Sequence, residues 1–114
     1  KGTDEEKALR SQKIQDGYKK AIATPVETAK ACLEVLELAL PVSTKGNPNS
    51  ITDVGVGAQM AATGLDGAIF NIRINLGSIK DGSFVEEMNK EIEILNDRKI
   101  ELLDIILKNV DQQL

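Results

Sequence analysis

KGNPNSITD, residues 45–53, decides how the rest of the chain reads. It gathers Gly46, Asn47, Pro48, Asn49, Ser50 and Asp53, the residue types that end one helix and begin another. Upstream, Tyr18, Ala21, Ile22, Pro25, Val26, Ala29, Leu33, Leu36 and Leu40 recur at steps of three and four, the period of a helix face. Thr3-Asp-Glu-Glu6 reads as a capping box at the start of that helix. The stripe keeps its phase through Pro25, which predicts a kink there rather than two helices. Pro41 falls in the last turn, and Gly46 reads as a left-handed terminator.

Downstream, Ser50 to about Gly77 reads as a helix that carries charge only at Asp53, Asp66 and Arg73. Gly55, Gly57, Gly64 and Gly67 weaken it by about 1 kcal/mol each relative to Ala, so close packing must compensate. Being apolar nearly all round, it is expected to be central and buried. Ser78–Gly82 reads as a turn, and Ser83-Phe-Val-Glu86 as a second capping box. Val85, Met88, Ile92, Leu95, Leu102, Ile106 and Val110 then mark a helix running to the C-terminus, with Lys99 interrupting the stripe. The expected fold is all-α: an up-and-down bundle of long helices around a Gly/Ala-rich one. Three helices leave the central one under-covered, so the chain oligomerises through that central helix, or further helices belong to the intact protein, or both.

Composition narrows the function. The chain has 114 residues, 41% hydrophobic and 28% charged, enough for one domain with a modest aliphatic core. A net charge of −4 with no long basic run argues against nucleic acid. Gln59, Asp66, Asn71, Arg73 and Asn75 interrupt every window that could span a membrane. With no His and the single Cys32, an intramolecular disulfide and Ser-His or Cys-His catalysis are excluded within the chain, and structural zinc lacks the several Cys or His ligands it needs. Cytoplasmic placement is the expectation. Beginning at Lys1, the chain reads as part of something longer.

Two readings of residues 45–53 stand side by side. In one, Asn47 and Pro48 turn the chain, Asn49 or Ser50 caps the next helix, and Asp53 sits in its first turn, favoured by the helix dipole. In the other, Asn47, Asn49 and Asp53 line a polar ligand site at the helix entrance. Asn71 and Asn75, four apart, share one helix face and could read a heterocycle's donors and acceptors. Arg73 lies on another face, in line with Asp66 and Gln59. Such a stripe is either a buried network, with Asp66 or a partner carboxylate pairing Arg73, or part of a site.

Taken in order, TDEEK, TPVETA, KGNPNSITD, GLDGAIFNIRINL and IKDGSF resemble the formiminotransferase-cyclodeaminase family, whose cyclodeaminase domain is shared with bacterial methenyltetrahydrofolate cyclohydrolases. The family's G-N-x-N-x-x-[ST]-D pattern is matched by Gly46, Asn47, Asn49, Thr52 and Asp53. Its G-A-x-x-N-V-x-I-N-L pattern is matched by Gly67, Ala68, Asn71, Asn75 and Leu76, with Ile72 for Val. The resemblance implies a dimeric helical bundle acting on the one-carbon unit of a tetrahydrofolate derivative, without a metal. It also implies that residues 1–114 are the C-terminal part of a cyclodeaminase-like domain, with the proposed catalytic Asp upstream of Lys1. No catalytic residue is therefore assigned here, and Asn47, Asn49, Asp53, Asn71, Arg73 and Asn75 are the substrate-binding candidates. Arg73 would meet the folate's glutamate or pair internally. The rival reading is a non-catalytic scaffold that dimerises through its C-terminal helix.

Overall fold

The computed structural model describes residues 2–114. Three long helices, α1 (Asp4–Lys45), α2 (Ile51–Leu76) and α3 (Gly82–Gln112), pack along one axis, and a short 3-10 turn (Pro48–Ser50) precedes α2. No strand occurs among the described residues. The molecule is a rod of 68 × 19 × 16 Å.

Each end of α1 has a local cause. The Glu6 N–H donates to Thr3 Oγ1 at 3.2 Å, and Asp4, Glu5 and Glu6 fill the first turn. The helix continues unbroken through Pro25 and Pro41 for 42 residues, so Pro25 does not divide it. It stops at Gly46, but not in the left-handed conformation expected: φ is −76° and ψ 179°. The requirement for glycine is closeness. The Gly46 N–H donates to the Val42 carbonyl at 2.9 Å, and a Cβ there would lie 2.6 Å from that same oxygen.

The start of α3 is a second correction. The cap is Asp81 rather than Ser83: the Asp81 carboxylate accepts from the Phe84 N–H at 3.2 Å. Lys19 of α1 donates to the other oxygen at 2.8 Å, while its ammonium sits 5.0 Å from the Phe84 ring centre. The Lys19 hydrogen bond, then the Phe84 N–H, hold the Asp81 carboxyl below the usual carboxylate range. A carboxylate with a donor on each oxygen outcompetes a serine hydroxyl two residues later. Beside it, Gln15 clasps the α2–α3 turn, donating to the Ser78 carbonyl at 3.0 Å and accepting from the Lys80 N–H at 2.8 Å.

Interhelix pairs give the topology. Lys19 with Asp81, Lys30 with Glu91 and Ser43 with Asn109 run in the same sense, so α1 and α3 are parallel. Asp66 with Lys99 and Gly55 against Val110 run oppositely, so α2 is antiparallel to α3. The Cβ position of Gly64 faces Cys32 on α1. The core has two parts. Ile22, Ala29, Leu65, Ile72 and Ile92 belong to one, at the α2–α3 turn end; Leu36, Ala58, Leu102 and Ile106 belong to the other. The interruption at Lys99 is explained by its ion pair with Asp66 at 2.5 Å, the ammonium side chain being only 12% exposed.

The expectation that α2 is buried all round holds toward α1 and α3 and fails on a third face. Ala58, Ala61, Ala62, Leu65, Ala68 and Ile72 are buried, whereas Val56, Met60, Phe70 and Ile74 are exposed. No helix among the described residues is long and apolar enough to cross a membrane.

Candidate functional site

A groove of about 550 Å³ lies between α1 and α2. That volume falls within the usual range for small-molecule sites. Its α1 wall is Ala21, Thr24, Pro25 and Thr28; its α2 wall is Gly64, Gly67, Ala68, Asn71 and Asn75. The small residues set its depth, and the polar ones set its chemistry. Pro25 has no N–H to offer the Ala21 carbonyl one turn back, which leaves an acceptor at the groove wall. The Thr28 hydroxyl donates to the Thr24 carbonyl at 3.1 Å, keeping its lone pairs as acceptors. The Asn75 amide N–H donates to the Asn71 carbonyl at 2.9 Å, which aims its oxygen away from the helix. Asn71 uses its side-chain amide in no hydrogen bond within the described residues. No titratable side chain lines this groove. It can recognise donors and acceptors of a neutral or cationic heterocycle, and it offers no acid or base of its own.

The six residues expected to form one site occupy three places. Asn71 and Asn75 lie together in the groove just described. Arg73 lines a second groove of about 450 Å³ with Thr63, Asp66, Phe70 and Asn96, on the α3 side of α2. Of the alternatives for the Gln59–Asp66–Arg73 stripe, an internal Asp66–Arg73 pair is not made: Lys99 takes the Asp66 carboxylate. Asn47, Asn49 and Asp53 lie at the opposite end of α2: the eighteen residues from Asp53 to Asn71 correspond to about 27 Å of helix. There the local reading accounts for Asn47, whose side-chain oxygen accepts from the Asn49 N–H at 3.0 Å while its carbonyl accepts from the Ser50 N–H at 2.9 Å. Ser50 occupies the cap position of α2 without a side-chain bond. Asp53 is exposed in the first turn. Thr24, Pro25 and Thr28 were missed as lining residues, although a proline inside a continuous apolar stripe was a signal that the α1 backbone is opened there.

Comparison with known proteins bears on this geometry. The family model described as Formiminotransferase-cyclodeaminase matches residues 1–94, which contain α1, α2 and the whole groove and end inside α3. The chain is 44% identical over 93 residues to the methenyltetrahydrofolate cyclohydrolase of Methylorubrum extorquens, covering 82% of this chain and 45% of that protein. It is 32% identical over 95 residues to the formimidoyltransferase-cyclodeaminase of Rattus norvegicus, covering 83% of this chain and 18% of that one. The corresponding enzyme of Dictyostelium discoideum is 35% identical over 94 residues, again 18% of its length. The chain thus spans less than half the length of these relatives.

Proposed function

Because the chain belongs to the formiminotransferase-cyclodeaminase family, we propose that it supplies part of a folate pocket in a one-carbon enzyme, with the α1–α2 groove as the place where the tetrahydrofolate derivative rests. The observation that carries this reading is the facing of Asn71 and Asn75 with Thr24 and Thr28 across that groove, inside the matched segment. Amides and hydroxyls can meet the donors and acceptors of a pterin ring at several points. A groove without charged walls also leaves a methenyl cation unopposed by any like charge.

Two reactions fit the family. In the cyclodeaminase reaction N10 attacks the formimino carbon at N5, and that carbon's nitrogen leaves as ammonia after protonation, giving the 5,10-methenyl cation. In the cyclohydrolase reaction water adds to that cation, and the C–N5 bond breaks to leave 10-formyltetrahydrofolate. Both pass through a tetrahedral carbon and need a group that moves a proton. The groove contributes positioning, and the proton-handling carboxylate falls to the segment that the resemblance places before Lys1.

The test is spectroscopic. A polypeptide carrying these residues together with that segment is given 5-formiminotetrahydrofolate, and the methenyl absorbance is followed. A rise above the uncatalysed rate marks a cyclodeaminase, and accelerated decay of added methenyltetrahydrofolate marks a cyclohydrolase. Traces matching the blank for both substrates would leave the helical scaffold as the better reading.

A further inference from the structure

The end of α1 is capped from another helix. The usual left-handed exit would send the Gly46 N–H to the Ser43 carbonyl and the Asn47 N–H to the Val42 carbonyl. Among the described residues neither bond is made. The Gly46 N–H stays on the Val42 carbonyl at 2.9 Å, and the chain leaves the helix extended. The Ser43 carbonyl is occupied instead by α3: the Gln113 side-chain amide donates to it at 2.7 Å and to the Asn109 carbonyl at 3.0 Å.

The surroundings of that carbonyl fix the contact. Ser43 is 0% exposed, the one polar residue buried among those described. Its hydroxyl donates to the Leu40 carbonyl at 2.6 Å and accepts from the Asn109 amide at 3.0 Å. A hydroxyl in an aliphatic core is costly unless bonded, so this network admits one seating of α3 on α1. Val110 packs on the other side of the turn, a methyl lying 3.4 Å from where a Cβ of Gly55 would stand.

The α1–α2 turn, by contrast, has only its own bonds. The Asn49 N–H donates to the Asn47 side chain and the Ser50 N–H to the Asn47 carbonyl, while Ser50 gives α2 no side-chain cap. Residue 46 does not choose the exit either. The left-handed one needs a positive φ, which glycine adopts freely. In the extended one a Cβ would stand 2.6 Å from the Val42 carbonyl oxygen, so glycine is required there too.

We propose that the C-terminal turn of α3 is a latch that makes this choice. Gln113 takes the acceptor that a left-handed cap would use, Asn109 seats the latch on Ser43, and the α1–α2 turn is thereby held in its extended exit. The directions of Asn47 and Asn49 follow from it. Both latch residues lie beyond residues 1–94, the segment matched by the family model. The latch stands on these bonds alone and does not depend on what the α1–α2 groove binds.

Gln113 is exposed, so it can be changed without opening the core. Gln113→Glu keeps the size of the side chain and replaces its donor with an oxygen; Gln113→Lys keeps a donor. Backbone couplings and amide exchange of the labelled chain read the turn by NMR. In Gln113→Glu the Gly46 φ should become positive, and exchange of the Asn47 N–H should slow about tenfold as it gains the Val42 carbonyl, one hydrogen bond's worth. Gln113→Lys should keep the extended exit. An unchanged Gly46 torsion and Asn47 exchange in Gln113→Glu would overturn the latch. So would a left-handed Gly46 in Gln113→Lys as well, or a loss of protection spread evenly to Ile22 and Ile72, which would make Gln113 one more contributor to global stability.

Discussion

Three glycines on α2 should answer the same substitution unequally. Gly57→Ala and Gly67→Ala each place a methyl in open space. Each should stabilise the chain by about 1 kcal/mol, the helix-propensity difference between Gly and Ala. Gly64 differs because its Cβ would sit 2.9 Å from Cys32 Sγ. Turning Cys32 off its rotamer costs about 0.5–1.5 kcal/mol, and shifting the backbone instead costs about 1–3 kcal/mol. Gly64→Ala should therefore fall between a stabilisation of about 0.5 kcal/mol and a destabilisation of about 2 kcal/mol, short of the full gain in either case. Removing the sulfur restores the ordinary gain: in a Cys32→Ala background Gly64→Ala should stabilise by about 1 kcal/mol. Urea unfolding of the four chains in this cycle gives the coupling directly, expected at about 0.5–3 kcal/mol. If Gly64→Ala stabilises as much as Gly67→Ala with Cys32 in place, the α1–α2 packing described here is wrong.

Leu102→Ala should cost about 2–5 kcal/mol in the same assay, because a fully buried side chain leaves a cavity between α3 and its neighbours; a loss under 1 kcal/mol would mean that α3 beyond the matched segment only decorates the fold. Asp81 gives a pH signature. Its folded-state carboxyl is held below the unfolded value of about 3.9, so its contribution is present above that pH and drains away as pH falls through the lower folded value. The melting temperature of Asp81→Asn should therefore depend less steeply on pH below about 4 than that of the unmodified chain; parallel curves would refute the Lys19–Asp81 link. Asn71→Ala and Asn75→Ala should each weaken tetrahydrofolate binding about tenfold in equilibrium dialysis, one neutral hydrogen bond's worth, with the urea midpoint of the Asn71 variant unchanged.

The helices were legible because their signals are local. Thr3, the apolar stripe and the Pro48–Ser50 break each act within a few residues, and α2 begins and ends within a residue of expectation. The errors came where two local signals compete or where a neighbour decides. Asp81 and Ser83 are both good caps, and Lys19, sixty-two positions away, tips the choice. The backbone freedom of Gly46 suggests a left-handed cap, whereas the residue serves a close approach to Val42. The third face of α2 was beyond reach, since an apolar stripe does not say which helix covers it. The candidate site was half legible. Asn71 and Asn75 carry their shared face in their spacing, but the α1 wall opposite them does not show in the α2 sequence. Grouping Asp53 with Asn71 overlooked the length of the helix that joins them.

The measurement that bears most directly on the account is a titration of the isotope-labelled chain with tetrahydrofolate, followed by its amide NMR spectrum. Saturable shifts are expected at Thr24, Thr28, Asn71 and Asn75, with those at Arg73 and Asn96 across the helix much smaller. No saturable shift at any attainable concentration, or shifts centred on the α2–α3 groove, would contradict the assignment of the α1–α2 groove as a folate pocket.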